Sequence, residues 1–168
     1  LGQVRTGAAS GVATKYLARP ESAEVGLYGA GKQAAQQLVA MCKVRPIKRI
    51  QVYSRNEENR KKFCSEMTTL CQVPVEPVAD PADAARNKDI VITATNSRDV
   101  MLGEWISEGT HLNVIGSNFV SKAEVDAETL QRAKPIVVDS KDQAHFEAGD
   151  FHQALEKGAL QWSSIVEL

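Results

Sequence analysis

Val25-Gly26-Leu27-Tyr28-Gly29-Ala30-Gly31-Lys32-Gln33-Ala34 starts as a short apolar run, turns on two glycines and passes directly into helix-forming residues. Gly29, Gly31 and Ala34 fill a G-x-G-x-x-A pattern, the strand, tight turn and helix start of a dinucleotide-binding unit. Gly29 permits the sharp turn. Gly31, lacking a Cβ, lets the backbone approach a pyrophosphate, and Ala34 keeps the helix close to the strand. The helix N-terminus offers unpaired N–H groups and a partial positive charge to phosphate oxygens. A bare glycine turn can imitate this pattern, so the flanking strand and helix patterns are what give it weight.

Outward from that turn, strand-like runs alternate with helical ones. An Ala-rich lead-in helix over 8–17 stops before Pro20. Strands are predicted at 25–28, 49–53, 75–78, 89–94, 111–115 and 136–138, and helices at 32–42, 57–70 and 123–132. Asp80 caps a small helix, and a helical turn falls at 104–106. After Asp139 two short helices, around 143–148 and 151–156, lead to Leu168 with no closing element. Near-continuous runs such as Ile90-Val91-Ile92 belong to parallel strands buried on both faces. The expectation is one α/β domain over 1–168, a Rossmann-type doubly wound parallel sheet of about six strands.

In such a sheet, ligands bind outside the carboxyl ends of the strands. The first end is the glycine turn, Gly29-Ala30-Gly31, as the cofactor's pyrophosphate contact. The second is Ser54-Arg55-Asn56. An acid is expected about 20 positions past the glycines when a ribose 2′-hydroxyl is bound, and Ser54 stands there without a carboxylate. Arg55 is suited to a 2′-phosphate, with Arg60 and Lys61 adding to the field, so NADP is expected over NAD. The fourth strand ends in Thr95-Asn96, small polar residues that leave room for a ribose. The fifth ends in Val114-Ile115-Gly116-Ser117-Asn118, where Gly116 allows close approach and Asn118 points at the crevice.

At 168 residues the chain is long enough to bury a real core. A net charge of −1 gives no electrostatic argument for nucleic acid or an anionic membrane. No apolar run reaches the roughly 20 residues that span a bilayer. No signal peptide is visible, though the chain opens at Leu1 rather than Met. Cys42, Cys64 and Cys71 lack C-x-x-C spacing and read as reduced thiols of a cytoplasmic protein. His111, His145 and His152 are scattered, so no metal site is expected.

At these strand ends the chain resembles the ornithine cyclodeaminase/μ-crystallin family, which includes archaeal alanine dehydrogenases. Arg5-Thr6-Gly7-Ala8-Ala9 resembles its R-T-A-A segment, and Tyr16-Leu17-Ala18-Arg19-Pro20 its Y-L-A-R-P. Gly29 to Ala34 matches its glycine loop. Gly116-Ser117-Asn118 and Lys122-Ala123-Glu124-Val125-Asp126 resemble its G-x-D-x-P-x-K-x-E-L-D signature, and Val137 to Ser140 and Glu147 to Asp150 also fit. The resemblance implies a nicotinamide cofactor and chemistry at the carbon–nitrogen bond of an amino acid or imine, in a homodimer. It implies that Arg5 holds the substrate carboxylate, that Lys32 and Gln33 contact the pyrophosphate with Ser54 at the ribose position, and that Thr95, Leu112, Asn113, Val114, Ile115 and Lys122 are further cofactor contacts.

Asn118 falls where cyclodeaminases have their acid–base aspartate, and Val120 replaces the signature's proline. An amide cannot titrate as that aspartate does, which puts ornithine cyclisation in doubt and gives weight to a crystallin-like role of holding NADPH and a small ligand. The resemblance also implies that the family's substrate and dimerisation domain lies outside this chain. Ser54-Arg55-Asn56 resembles the N-R-T loop of shikimate dehydrogenases, but the Lys122–Asp126 segment argues against them.

Overall fold

The structure is a computed structural model that describes residues 2–98, 100–116, 119, 121–158 and 160–168. Five parallel strands, β1 (Glu24–Tyr28), β2 (Arg49–Tyr53), β3 (Val75–Pro77), β4 (Ile90–Thr93) and β5 (His111–Val114), lie in the order β3-β2-β1-β4-β5. The order reverses at β1, which pairs with β2 on one side and β4 on the other. Tyr28, Tyr53, Thr93 and Val114 stand in register, so four strand ends form one edge.

Alternate residues feed two cores, as period-two side chains require. Val25, Leu27, Ile50, Val52, Ile90 and Ile92 pack with Leu38, Met41, Phe63 and Met67 from helices α2 (Lys32–Val44) and α3 (Glu57–Cys71). Tyr28 and Val91 face the opposite core, with Met101, Val125, Leu130 and Phe151. Gly26 is required there, because a Cβ on it would run into the Ala84 carbonyl oxygen of the 3₁₀ turn Pro81–Ala84.

Helix α1 (Gly2–Leu17) is six residues longer at its start than the sequence pattern suggests. Gly2, Gly7 and Gly11 lower its intrinsic helicity, but the last two let it lie close against α2, where a Gly7 Cβ would sit 3.0 Å from the Gln36 carbonyl oxygen. Arg45 then collects the Thr14, Lys15 and Ala18 carbonyls at 2.7–2.8 Å, satisfying acceptors that a helix end leaves orphaned. Among the described residues no helix is long and apolar enough to cross a membrane.

Three expectations need correction. The sixth strand, β6 (Ile136–Val138), leaves the main sheet and pairs in parallel with β7 (Ile165–Glu167), so the main sheet has five strands. That same β7 closes the tail, for which the sequence suggests no closing element. Helix α4 spans Ala127–Arg132 only, because Asp126 caps it by accepting from the Thr129 N–H at 2.9 Å. The residues just before it are not helical, with Val125 bridging Met101. Helices α5 (Lys141–Glu147) and α6 (Gly149–Glu156) fall close to where they are expected.

Candidate dinucleotide site

Gly29 ends β1 with φ at +113°, a conformation open to glycine, and its N–H donates to the Tyr53 carbonyl at 2.9 Å. A Cβ there would collide with the Ala94 carbonyl oxygen at the end of β4. Ala30 is half-buried against the core. Gly31 is the N-cap of α2, in extended backbone, and no side chain caps the helix. Among the described residues, nothing lies within 4 Å of where its Cβ would be.

The first turn of α2 carries no acid, Lys32 is exposed, Gln33 is half-buried, and Ala34 is buried against the sheet. Open N–H groups, the helix dipole, a lysine and free space above a glycine suit a diphosphate. The residues present therefore fit the nucleotide cofactor the sequence implies.

At the end of β2, Ser54 is half-buried and its hydroxyl lies 3.4 Å from the Asn56 carbonyl. The Asn56 side-chain oxygen is spent on capping α3, accepting from the Asn59 N–H at 2.8 Å. Arg60 does not add to a phosphate-binding field as expected. It is buried, donates to the Ser54 carbonyl and lies 5.9 Å from the Tyr53 ring. Lys61 is paired with Glu57 at 2.6 Å. Arg55 is exposed, and no described residue bonds or pairs with it.

Asn96 is exposed beside Thr95, whose hydroxyl accepts from the Ser97 N–H at 3.0 Å. Within β5, Leu112 and Val114 pack on the second core. The Asn113 amide is turned away toward α1, donating to the Thr14 hydroxyl at 2.9 Å, while Ile115 packs on the first core. Of this strand, the backbone at Ile115–Gly116 reaches the edge. Asn118 lies outside the described residues, as do Ser117 and Val120. Arg5 is exposed on α1, with no bond to the strand ends among the described residues.

Glu124 is the residue at this edge to which the sequence reading gave no role. It is fully buried, and its carboxylate accepts from the Thr93 hydroxyl at 2.9 Å and from the Thr95 and Gly116 N–H groups at 2.6 Å each. Burial pushes its pKa up, and the hydrogen bonds to Thr95, Thr93 and Gly116 oppose that. The Lys122 ammonium donates to the Thr95 carbonyl at 2.9 Å and to the Gly116 carbonyl. A Cβ on Gly116 would meet the Glu124 carboxyl at 2.5 Å. Asp150, buried at the start of α6, accepts the Glu124 and Val125 N–H groups at 2.6 and 3.1 Å.

The chain belongs to the ornithine cyclodeaminase/mu-crystallin family, whose model matches residues 1–166. It is 41% identical over 159 residues to an alanine dehydrogenase of Archaeoglobus fulgidus, covering 94% of this chain and 48% of that one. Its fold matches a Δ1-pyrroline-2-carboxylate reductase of Thermococcus litoralis, solved with NADH and L-proline, at a TM-score of 0.95 and 42% identity. That match covers 99% of this chain and 52% of the other. An archaeal alanine dehydrogenase dimer with bound NAD matches at a TM-score of 0.88 and 37% identity, over 98% and 50% of the two chains. The chain thus spans about half the length of these relatives.

Proposed function

We propose that this chain is the dinucleotide-binding unit of an NAD(P)-dependent oxidoreductase acting at the carbon–nitrogen bond of an amino acid or cyclic imine. The observation that carries the reading is the uncapped α2 N-terminus above Gly31, placed where the strand order reverses. The glycine loop with Lys32 and Gln33 holds the pyrophosphate, and Ser54 and Arg55 receive the adenosine ribose. The ends of β4 and β5, with Lys122, then take the nicotinamide half. A nicotinamide cofactor bound there would supply hydride transfer at that half. Relatives named for alanine oxidation and pyrroline-2-carboxylate reduction support an amino acid or imine as its partner.

Arg55 supports NADP(H) over NAD(H), because a free guanidinium pairs with a 2′-phosphate where a carboxylate would repel it. The substrate carboxylate is assigned to Arg5, and the functional protein to a homodimer with a further substrate and dimerisation domain. Asn118, an amide in place of a titrating acid, favours hydride transfer over cyclodeamination. It also favours the second reading, a protein that holds cofactor and ligand with little turnover. The test is the full-length protein with NADH or NADPH and either a cyclic imine carboxylate or a keto acid with ammonia. Oxidation of the reduced cofactor supports the enzyme; tight cofactor binding without oxidation supports the binding role.

A further inference from the structure

We propose that Glu124 is a positioning residue for the nicotinamide half of the bound cofactor, acting through the strand-end backbone it holds. The inference rests on the dinucleotide reading above. At the ends of β4 and β5 the ladder stops, leaving the Thr95 and Gly116 N–H groups without strand partners. Each points at one carboxylate instead, Thr95 to Oε1 and Gly116 to Oε2, with the Thr93 hydroxyl also on Oε2. One side chain thus fixes both turns and the gap between them. Lys122 completes the clamp by taking the Thr95 and Gly116 carbonyls.

The placement follows from topology. The pyrophosphate turn ends β1 and the adenosine ribose meets the end of β2, so the other nucleotide lies on the β4–β5 side. Glu124 is fully buried, so it shapes that floor without touching the cofactor. Glutamine has the same shape but the wrong hydrogen-bonding groups. Its NH₂ would face one of the two backbone N–H donors, leaving a buried donor unmade. Among the described residues, the adenosine side, assigned to Gly31, Lys32 and Arg55, shares no hydrogen bond with Glu124.

Calorimetric titration of the full-length protein with NAD(P)H, and with ADP with or without a 2′-phosphate, tests this. Glu124→Gln is expected to weaken NAD(P)H binding about tenfold or more and ADP binding less than about twofold. Equal loss for both ligands, or loss for neither, overturns the assignment. If Glu124→Gln does not fold, Thr93→Val removes a single donor, and the same split at about threefold is expected; no split there overturns it as well. A wild-type protein that binds ADP but neither NADH nor NADPH refutes the dinucleotide reading itself.

Discussion

Replacing Gly31 by alanine separates binding from folding at the centre of the site. The backbone there is extended, at φ −103°, which alanine adopts freely, and the new methyl meets nothing within 4 Å among the described residues. Alanine is a poorer N-cap than glycine, by up to about 1 kcal/mol, while the unfolded chain loses roughly 0.4–1 kcal/mol of conformational freedom. The two offset, so the melting temperature should move by no more than about 4 °C. Binding should respond differently. The methyl fills the space through which a pyrophosphate reaches the α2 N–H groups. Losing one charge-assisted hydrogen bond costs about 1.5–3 kcal/mol, about tenfold to a hundredfold in Kd. Because both cofactors share the pyrophosphate, NADH and NADPH should weaken together. Calorimetric titration beside thermal unfolding measures both effects. Unchanged affinity in a variant of unchanged stability would refute the placement of the pyrophosphate. Gly29→Ala is a poor substitute, since its positive φ and the Ala94 carbonyl would disturb the fold itself.

Arg55→Ala should narrow the preference for NADPH over NADH by about tenfold, or roughly 1.4 kcal/mol, the low end of a charge-assisted bond; equal wild-type affinities would show that the loop does not read a 2′-phosphate. His111 bears on acid stability. Burial beneath α1, together with the Arg45 charge, holds its pKa at about 4, although its hydrogen bond with Asn113 acts the other way. The unfolded chain takes the proton near pH 6.5 and the folded one only near 4, so stability is complete above about 6.5 and declines as pH falls toward 4. The decline should total roughly 3 kcal/mol. Urea unfolding across that range should show a flatter pH dependence in His111→Gln, and identical slopes would exclude His111 as the cause.

The parts of the fold that were legible in the sequence are those fixed by local chemistry. The glycine turn and α2 follow one another within ten residues, and β2 and α3 are legible from their own segments, whereas Asn56, expected at the cofactor, turns out to cap α3. The inward turn of Arg60 was also available. Phe63, Cys64 and Met67 form the buried stripe of α3, and position 60 lies one turn earlier on that stripe. Glu124 was obscured because Lys122–Val125 contains good helix formers, yet Asp126 followed by Thr129 marks the later helix start. The separation of β6 from the main sheet could not be read locally. A three-residue apolar run is the same in either sheet, and its partner, Ile165–Glu167, lies far along the chain.

That long-range dependence explains why the tail bears on the cofactor site. Asp150 sits in the first turn of α6, where the helix dipole favours its negative charge. It holds the backbone of Glu124 and Val125, and Glu124 in turn holds the ends of β4 and β5. The next residue in β4's exit, Ala94, has its carbonyl so close to Gly29 that no side chain fits there. Four segments that look unrelated in sequence, the glycine turn, the β4 exit, the Lys122–Asp126 run and the Glu147–Asp150 run, therefore form one contiguous hydrogen-bonded and close-packed floor. The Ala94 carbonyl leaves no room for a Cβ on Gly29, and the Thr95 and Gly116 N–H groups, which the ladder no longer pairs, go to the buried Glu124 carboxylate. A substitution at either acid should therefore reach the crevice through backbone position, without removing any group that touches the cofactor.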